Sequence, residues 1–146
     1  MARALLIIAL GVLAPGCVDA PILQVDAPLL VFNTYPANGA TIARGDLGEL
    51  AVTFSADLGP EAQARDQAND RLTLAGARGP LPVVRGDAGN VAYDQDTFTL
   101  RVVLDPEVLA QLTPGRWTLT VGRGFEAADG RPLPTDYAAR FTVTPQ

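Results

Sequence analysis

The chain has 146 residues, with 16 acidic against 11 basic side chains, a net charge of −5 and no histidine. That length suits one globular domain, and an acidic chain with scattered arginines excludes a nucleic-acid binder on electrostatic grounds. The lack of histidine removes the commonest general base and the commonest transition-metal ligand, and a single cysteine excludes an intrachain disulfide.

The chain opens with a short positive stretch, Met1 to Arg3, then an apolar run, Ala4 to Ala14. The run has the length of a secretory h-region and is too short for a stable membrane span. Ala14-Pro15-Gly16 follows, and then the single cysteine, Cys17. This arrangement resembles a bacterial lipoprotein signal. The resemblance implies a signal peptide over residues 1–16, with Cys17 lipidated and first in the mature chain. The rival cut after Val18-Asp19-Ala20 is blocked by Pro21, whose ring restricts the scissile peptide. Acylation would use the thiolate as nucleophile, and two or more acyl chains, at about 0.8 kcal/mol per buried methylene, anchor a protein stably. Val18, where an aspartate would signal retention at the inner membrane, points to the outer membrane. The expected localisation is therefore exported and lipid-anchored, with the membrane as one partner.

Residues 17–28 carry prolines and read as an extended tether. The domain is expected over residues 29–145, where period-two alternation is punctuated by Gly, Pro, Asn and Asp. Leu29 to Thr34 reads as a first strand, ended by Tyr35-Pro36-Ala37-Asn38-Gly39. Glu49 to Ser55 is a second, with Leu50, Val52 and Phe54 on one face. Pro60 to Asp70 is polar and lacks a wide apolar stripe, so it reads as a surface helix or a loop. Arg71 to Ala75 is a third strand. Leu81 to Arg85 is a fourth, placed at an edge by Pro82. Val91 to Tyr93 begins the next, Asp94-Gln95-Asp96 makes a tight turn, and Thr97 to Leu104 returns with Phe98, Leu100, Val102 and Leu104 inward. Asp105 to Leu112 reads as a short helix with Asp105 as N-cap and Pro106 at its first position, pinned by Val108, Leu109 and Leu112. Arg116 to Val121 and Tyr137 to Val143 complete the set, each with an inward row and an outward row of Thr and Arg. The expected fold is all-β, an antiparallel sandwich of seven to eight strands with one or two short helical turns.

Four segments in order carry a family resemblance. They are Tyr35-Pro36-Ala37-Asn38-Gly39-Ala40-Thr41 and Leu50-Ala51-Val52-Thr53-Phe54-Ser55, then Leu112-Thr113-Pro114-Gly115 running into Arg116-Trp117-Thr118-Leu119-Thr120-Val121. The last is Asp129-Gly130-Arg131-Pro132-Leu133 with Ala139-Arg140-Phe141-Thr142-Val143. Together, from Leu29 to Pro145, they resemble bacterial Ig-like domains of the SbsA type. Trp117 and Arg131 stand where that family commonly has tyrosine and asparagine. The resemblance implies an Ig-like sandwich of the cell envelope, used for spacing or adhesion, and no catalytic residues to carry over.

The remaining chemistry is sparse. Asp94, Asp96 and Asp129 are candidate calcium ligands, as are Asp66 with Asn69 and Asp70, and Glu126 near Asp129. Calcium needs six to eight converging oxygens, and no dense D-x-D-x-D-G loop is present, so these residues also read as ordinary turn formers. Asp94 and Asp96 in a hairpin turn would be solvated and unsuited to acid–base work. Gly122-Arg123-Gly124-Phe125 lacks the Gly-Lys-Ser ending of a phosphate loop. Trp117 alternates with Leu119 and Val121 and reads as a core aromatic rather than a sugar platform. No cofactor and no catalytic set is expected. The sequence points to an envelope lipoprotein with a non-catalytic interaction module for a protein or glycan partner. The alternatives are a structural spacer or adhesion lipoprotein, and an enzyme accessory or unfamiliar hydrolase.

Overall fold

The computed structural model of the protein describes residues 27–145. The expected signal segment, Cys17 and the expected tether up to residue 26 lie outside the described residues. Among the described residues nine strands and two α-helices follow in order, with one 3-10 turn, Arg44–Asp46, between β2 and β3: β1 Val31–Tyr35, β2 Thr41–Ala43, β3 Glu49–Phe54, α1 Glu61–Arg71, β4 Leu72–Gly76, β5 Gly79–Leu81, β6 Val91–Asp94, β7 Thr99–Val103, α2 Pro106–Gln111, β8 Gly115–Val121 and β9 Tyr137–Thr144. They form two sheets, a four-stranded β1-β3-β7-β6 and a five-stranded β2-β9-β8-β4-β5.

The alternation in the sequence is the reason these segments are strands. In β3, Leu50, Val52 and Phe54 are buried while Glu49, Ala51 and Thr53 are half-exposed. In β8 the inward residues are Trp117, Leu119 and Val121, and in β9 Ala139, Phe141 and Val143. One face of each sheet is therefore apolar, and the two faces close on one core. Phe54 of the four-stranded sheet meets Phe125 at 5.1 Å between ring centroids. Burying each side chain of this size contributes about 2 kcal/mol before conformational entropy is set against it.

The expected sandwich is present, with local differences. β2 is a strand that the alternation does not reveal, and it runs parallel to β9, so the sandwich is not wholly antiparallel. The fourth strand is Gly79–Leu81, paired with β4 at the sheet edge, rather than Leu81 to Arg85. Pro82 has no N–H to extend the ladder. Beyond it, buried Asn90 donates to the carbonyls of Val83 and Val103 (both 2.8 Å) and accepts from the Arg85 N–H (2.9 Å), which holds the segment in a loop. Phe98 is not on the β7 strand. It closes the hairpin turn with φ of 53° and packs half-buried against the core.

Segment 61–71 is a helix of 11 residues, attached through buried Ala64, Gln67 and Ala68. It covers the β6 edge, where the Arg65 Nε donates to the Val91 carbonyl at 2.8 Å. α2 forms with Pro106 at its start and Val108 and Leu112 buried, as expected. Asp105, however, makes no side-chain cap. Its carboxylate is engaged by both the Nε and Nη2 of Arg85.

Candidate functional site

The acidic residues singled out as calcium candidates do not converge. Asp94 ends β6, and its Oδ1 accepts the Asp96 N–H at 2.9 Å. A hydrogen bond from the Thr97 side chain, more than any other influence, holds the Asp94 carboxyl below its ordinary range. Asp129 pairs with Arg131 at 2.7 Å, and that bond likewise keeps its carboxyl low. Glu126 forms an isolated bridge with Pro132. Asp66, Asn69 and Asp70 are exposed on α1. Among the described residues no three His, Cys, Asp or Glu side chains gather as a metal site. Asp94 and Asp129 shape turns, as short polar side chains do when they bond the backbone two residues on. Cys17 lies outside the described residues.

A polar cluster that the sequence does not single out joins the loop after β3 to the β6–β7 hairpin. The Tyr93 hydroxyl donates to Asp57 Oδ1 at 2.9 Å and accepts the Leu58 N–H at 2.8 Å. The same Asp57 oxygen accepts the Gly59 N–H at 2.9 Å, and Gln95 Nε2 donates to the Gly59 carbonyl at 2.9 Å. Burial, reinforced by Asp57 and Asp94, pushes the Tyr93 phenol up to about 12. The phenol thus stays protonated across the physiological range. It acts as a clasp between two loops, not as a base.

A cleft of about 590 Å3 separates the Arg44–Gly48 turn from α2 and is lined by Leu47, Pro106, Leu109 and Pro114 among others. Arg44 is the only charged side chain in its wall. Its guanidinium donates to the carbonyls of Leu109 (3.1 and 3.3 Å) and Ala110 (3.2 Å), near the end of α2. A cation there complements the negative end of the helix, so the charge is structurally engaged.

The surface feature with the clearest binding character is the outer face of the four-stranded sheet. Leu30, Phe32, Tyr35 and Val103 are the exposed large apolar side chains, and Phe32 is 69% accessible. Leu30 and Phe32 alternate with buried Leu29 and half-buried Val31, and Tyr35 lies opposite Ala51. The strand is not an open template for another chain. A register shift between Val31 and Asn33 interrupts its ladder, and the Asn33 Oδ1 accepts the Thr34 N–H at 2.9 Å. Bulges and capped amides blunt an edge, leaving the side chains as the accessible feature.

No family model and no curated protein matches the chain. Solved structures that share its fold include the cryo-EM reconstruction of native Escherichia coli alpha-2-macroglobulin, with a TM-score of 0.50 and 17% identity. The match covers 82% of this chain and 6% of that one. The crystal structure of native alpha-2-macroglobulin from Escherichia coli spanning domains MG0-NIE-MG1 matches with a TM-score of 0.50 and 16% identity, over 82% of this chain and 33% of that one. The chain therefore spans a third or less of the structures it matches, and at this identity the likeness establishes the fold: an all-β, Ig-like sandwich.

Proposed function

We propose that the protein is an exported envelope lipoprotein, held to the outer membrane through acylated Cys17, whose sandwich is a non-catalytic binding module. Its partner is a protein that presents an apolar, uncharged surface to Leu30, Phe32 and Tyr35. The observation that carries the binding part is the exposure of Phe32 on a strand whose ladder shifts register between Val31 and Asn33 and whose Thr34 amide is capped. Such an edge favours contact through side chains over strand addition. Glu49 and Arg101, on neighbouring strands, supply the polar rim that such contacts commonly have. The anchoring part rests on the residues before Pro21 and on the resemblance to SbsA-type envelope domains.

Two measurements test the reading in the intact, full-length chain. Wild-type protein should incorporate labelled fatty acid and sediment with membranes, whereas Cys17→Ala should lose both; equal partition of the two would overturn the anchor. A photo-crosslinking residue at position 32 should give a discrete protein adduct in cells, and one at Asn69, exposed on α1, should not. Adducts at both positions, or at neither, would overturn the proposed face.

A further inference from the structure

The opposite side of the sandwich carries a different chemistry. The outward residues of the paired strands β2, β9, β8 and β4 form rows: Thr41, Thr142 and Arg116 in one, Arg140, Thr118 and Ala75 in the next, then Ala138, Thr120 and Thr73. No carboxylate interrupts these rows, although the chain has 16 acidic residues. Arg116 lies opposite Thr142 and Arg140 opposite Thr118, so the two arginines are diagonal neighbours. Such neighbours are about 7–8 Å apart, within reach of two long side chains.

Both arginines are exposed and line one shallow concavity of about 440 Å3, together with Gly39, Ala40, Thr118 and Thr142. Four other guanidinium groups are engaged: Arg65 with Glu61 at 2.7 Å, Arg131 with Asp129 at 2.7 Å, Arg85 with Asp105, and Arg44 with helix carbonyls. The guanidinium groups of Arg116 and Arg140 have no such partner among the described residues, and neither have the hydroxyls of Thr118 and Thr142. Two like charges a diagonal apart repel, and a bound anion relieves that repulsion. Planar guanidinium forks match the oxygens of a phosphate or carboxylate in a bidentate manner, and threonine hydroxyls add donors beside them.

We propose that this concavity is an oxyanion site, in which Arg116 and Arg140 grip a phosphate or carboxylate group carried by a larger ligand. The open, shallow shape leaves the rest of that ligand to lie along the threonine rows. Gly39 and Ala40 form the low rim on the β2 side, so the ligand meets no bulky side chain there.

The test is calorimetric titration of the full-length chain in detergent with two probes, inorganic pyrophosphate and digalacturonate. Saturable one-to-one binding of either is expected; tighter binding of pyrophosphate identifies a phosphorylated ligand, and of digalacturonate a uronic-acid glycan. Arg116→Gln and Arg140→Gln should each weaken binding by about ten-fold, as the loss of a charge-assisted pair does. Arg78→Gln removes the same charge from the exposed β4–β5 turn and should change nothing. Circular dichroism checks that all three variants keep their strands. Failure of both probes to saturate, an equal loss in Arg78→Gln, or full binding by both concavity variants would overturn the site.

Discussion

The side-chain amide of Gln67 pairs with the main chain of Glu126 as one more strand residue would. Its Oε1 accepts the Glu126 N–H at 2.7 Å, and its Nε2 donates to the Glu126 carbonyl at 3.2 Å. Gln67 is buried between Ala64 and Ala68 on the face of α1 that meets the sheets. A helix with no apolar stripe thus docks through two small residues and one satisfied amide.

Gln67→Leu should therefore destabilise the fold by about 2 kcal/mol, although the replacement is apolar and similar in size. It leaves two backbone groups of Glu126 without partners, and an unsatisfied, partly buried group costs about 1–3 kcal/mol. Denaturant unfolding measures this as a lower midpoint with an unchanged slope. An unchanged midpoint would mean that the amide contributes nothing.

Tyr93 should set the alkaline limit of the domain. Its phenol rises from an ordinary 10.0 to about 12 in the fold, chiefly through burial. The folded state prefers the protonated form, so the stabilisation is intact below pH 10 and is lost as pH climbs towards 12. Tyr93→Phe should remove that alkaline decline, as followed by unfolding midpoints against pH. At neutral pH the same variant should be less stable by about 1–3 kcal/mol, because the Leu58 N–H loses its acceptor.

Gly76→Ala should act as an overpacking substitution. An added Cβ would sit 2.8 Å from three atoms of the Trp117 ring, which is buried and fixed by its Nε1 bond to the Thr113 carbonyl (2.9 Å). The ring has no room to withdraw, and a cost of about 1–3 kcal/mol is expected, with altered tryptophan fluorescence. Gly124→Ala is the contrast. Its Cβ would meet the Arg71 Nε, on a flexible side chain that can move aside, so the loss should be smaller. Equal losses for the two would contradict this account.

Acid should weaken the fold at three surface carboxylates. The groups of Asp94, Asp105 and Asp129 all lie below the ordinary 3.8, held down first by hydrogen bonds from Thr97, Arg85 and Arg131 respectively. Each stabilisation is present above that value and disappears as pH falls through the depressed one. Asp105→Asn should flatten the acid limb of a melting-temperature profile; an unaltered limb would show that the Arg85 pair adds nothing.

Much of this was legible in the residues themselves. Leu50-Val52-Phe54 and Trp117-Leu119-Val121 place their strands by alternation alone, and Pro106 marks the start of α2. β2 was not legible, because three residues carry too little alternation and its partner, β9, lies about a hundred residues later in the sequence. Phe98 misleads because an aromatic at an alternating position reads as core, whereas the four-residue turn of the hairpin takes it out of the ladder. The outward placement of Arg116 and Arg140 follows from periodicity. Their adjacency does not, since it needs the register of β8 against β9. Gln67 and Asn90 gave no signal, because a buried amide looks like any surface amide until its backbone partners are known.

The pairing of β2 with β9 also bears on how the domain is made. The ribosome releases Thr41–Ala43 long before Thr142–Thr144, yet each waits for the other to complete its sheet. Closing so long a loop is slow, and the four-stranded sheet, whose strands are all available by Val103, can assemble ahead of it. Until Tyr137–Thr144 emerges, the apolar inner row of β8 has no β9 beside it. A nascent chain in which Val121 has emerged but Tyr137 has not would thus be the species most open to proteolysis and to capture by chaperones.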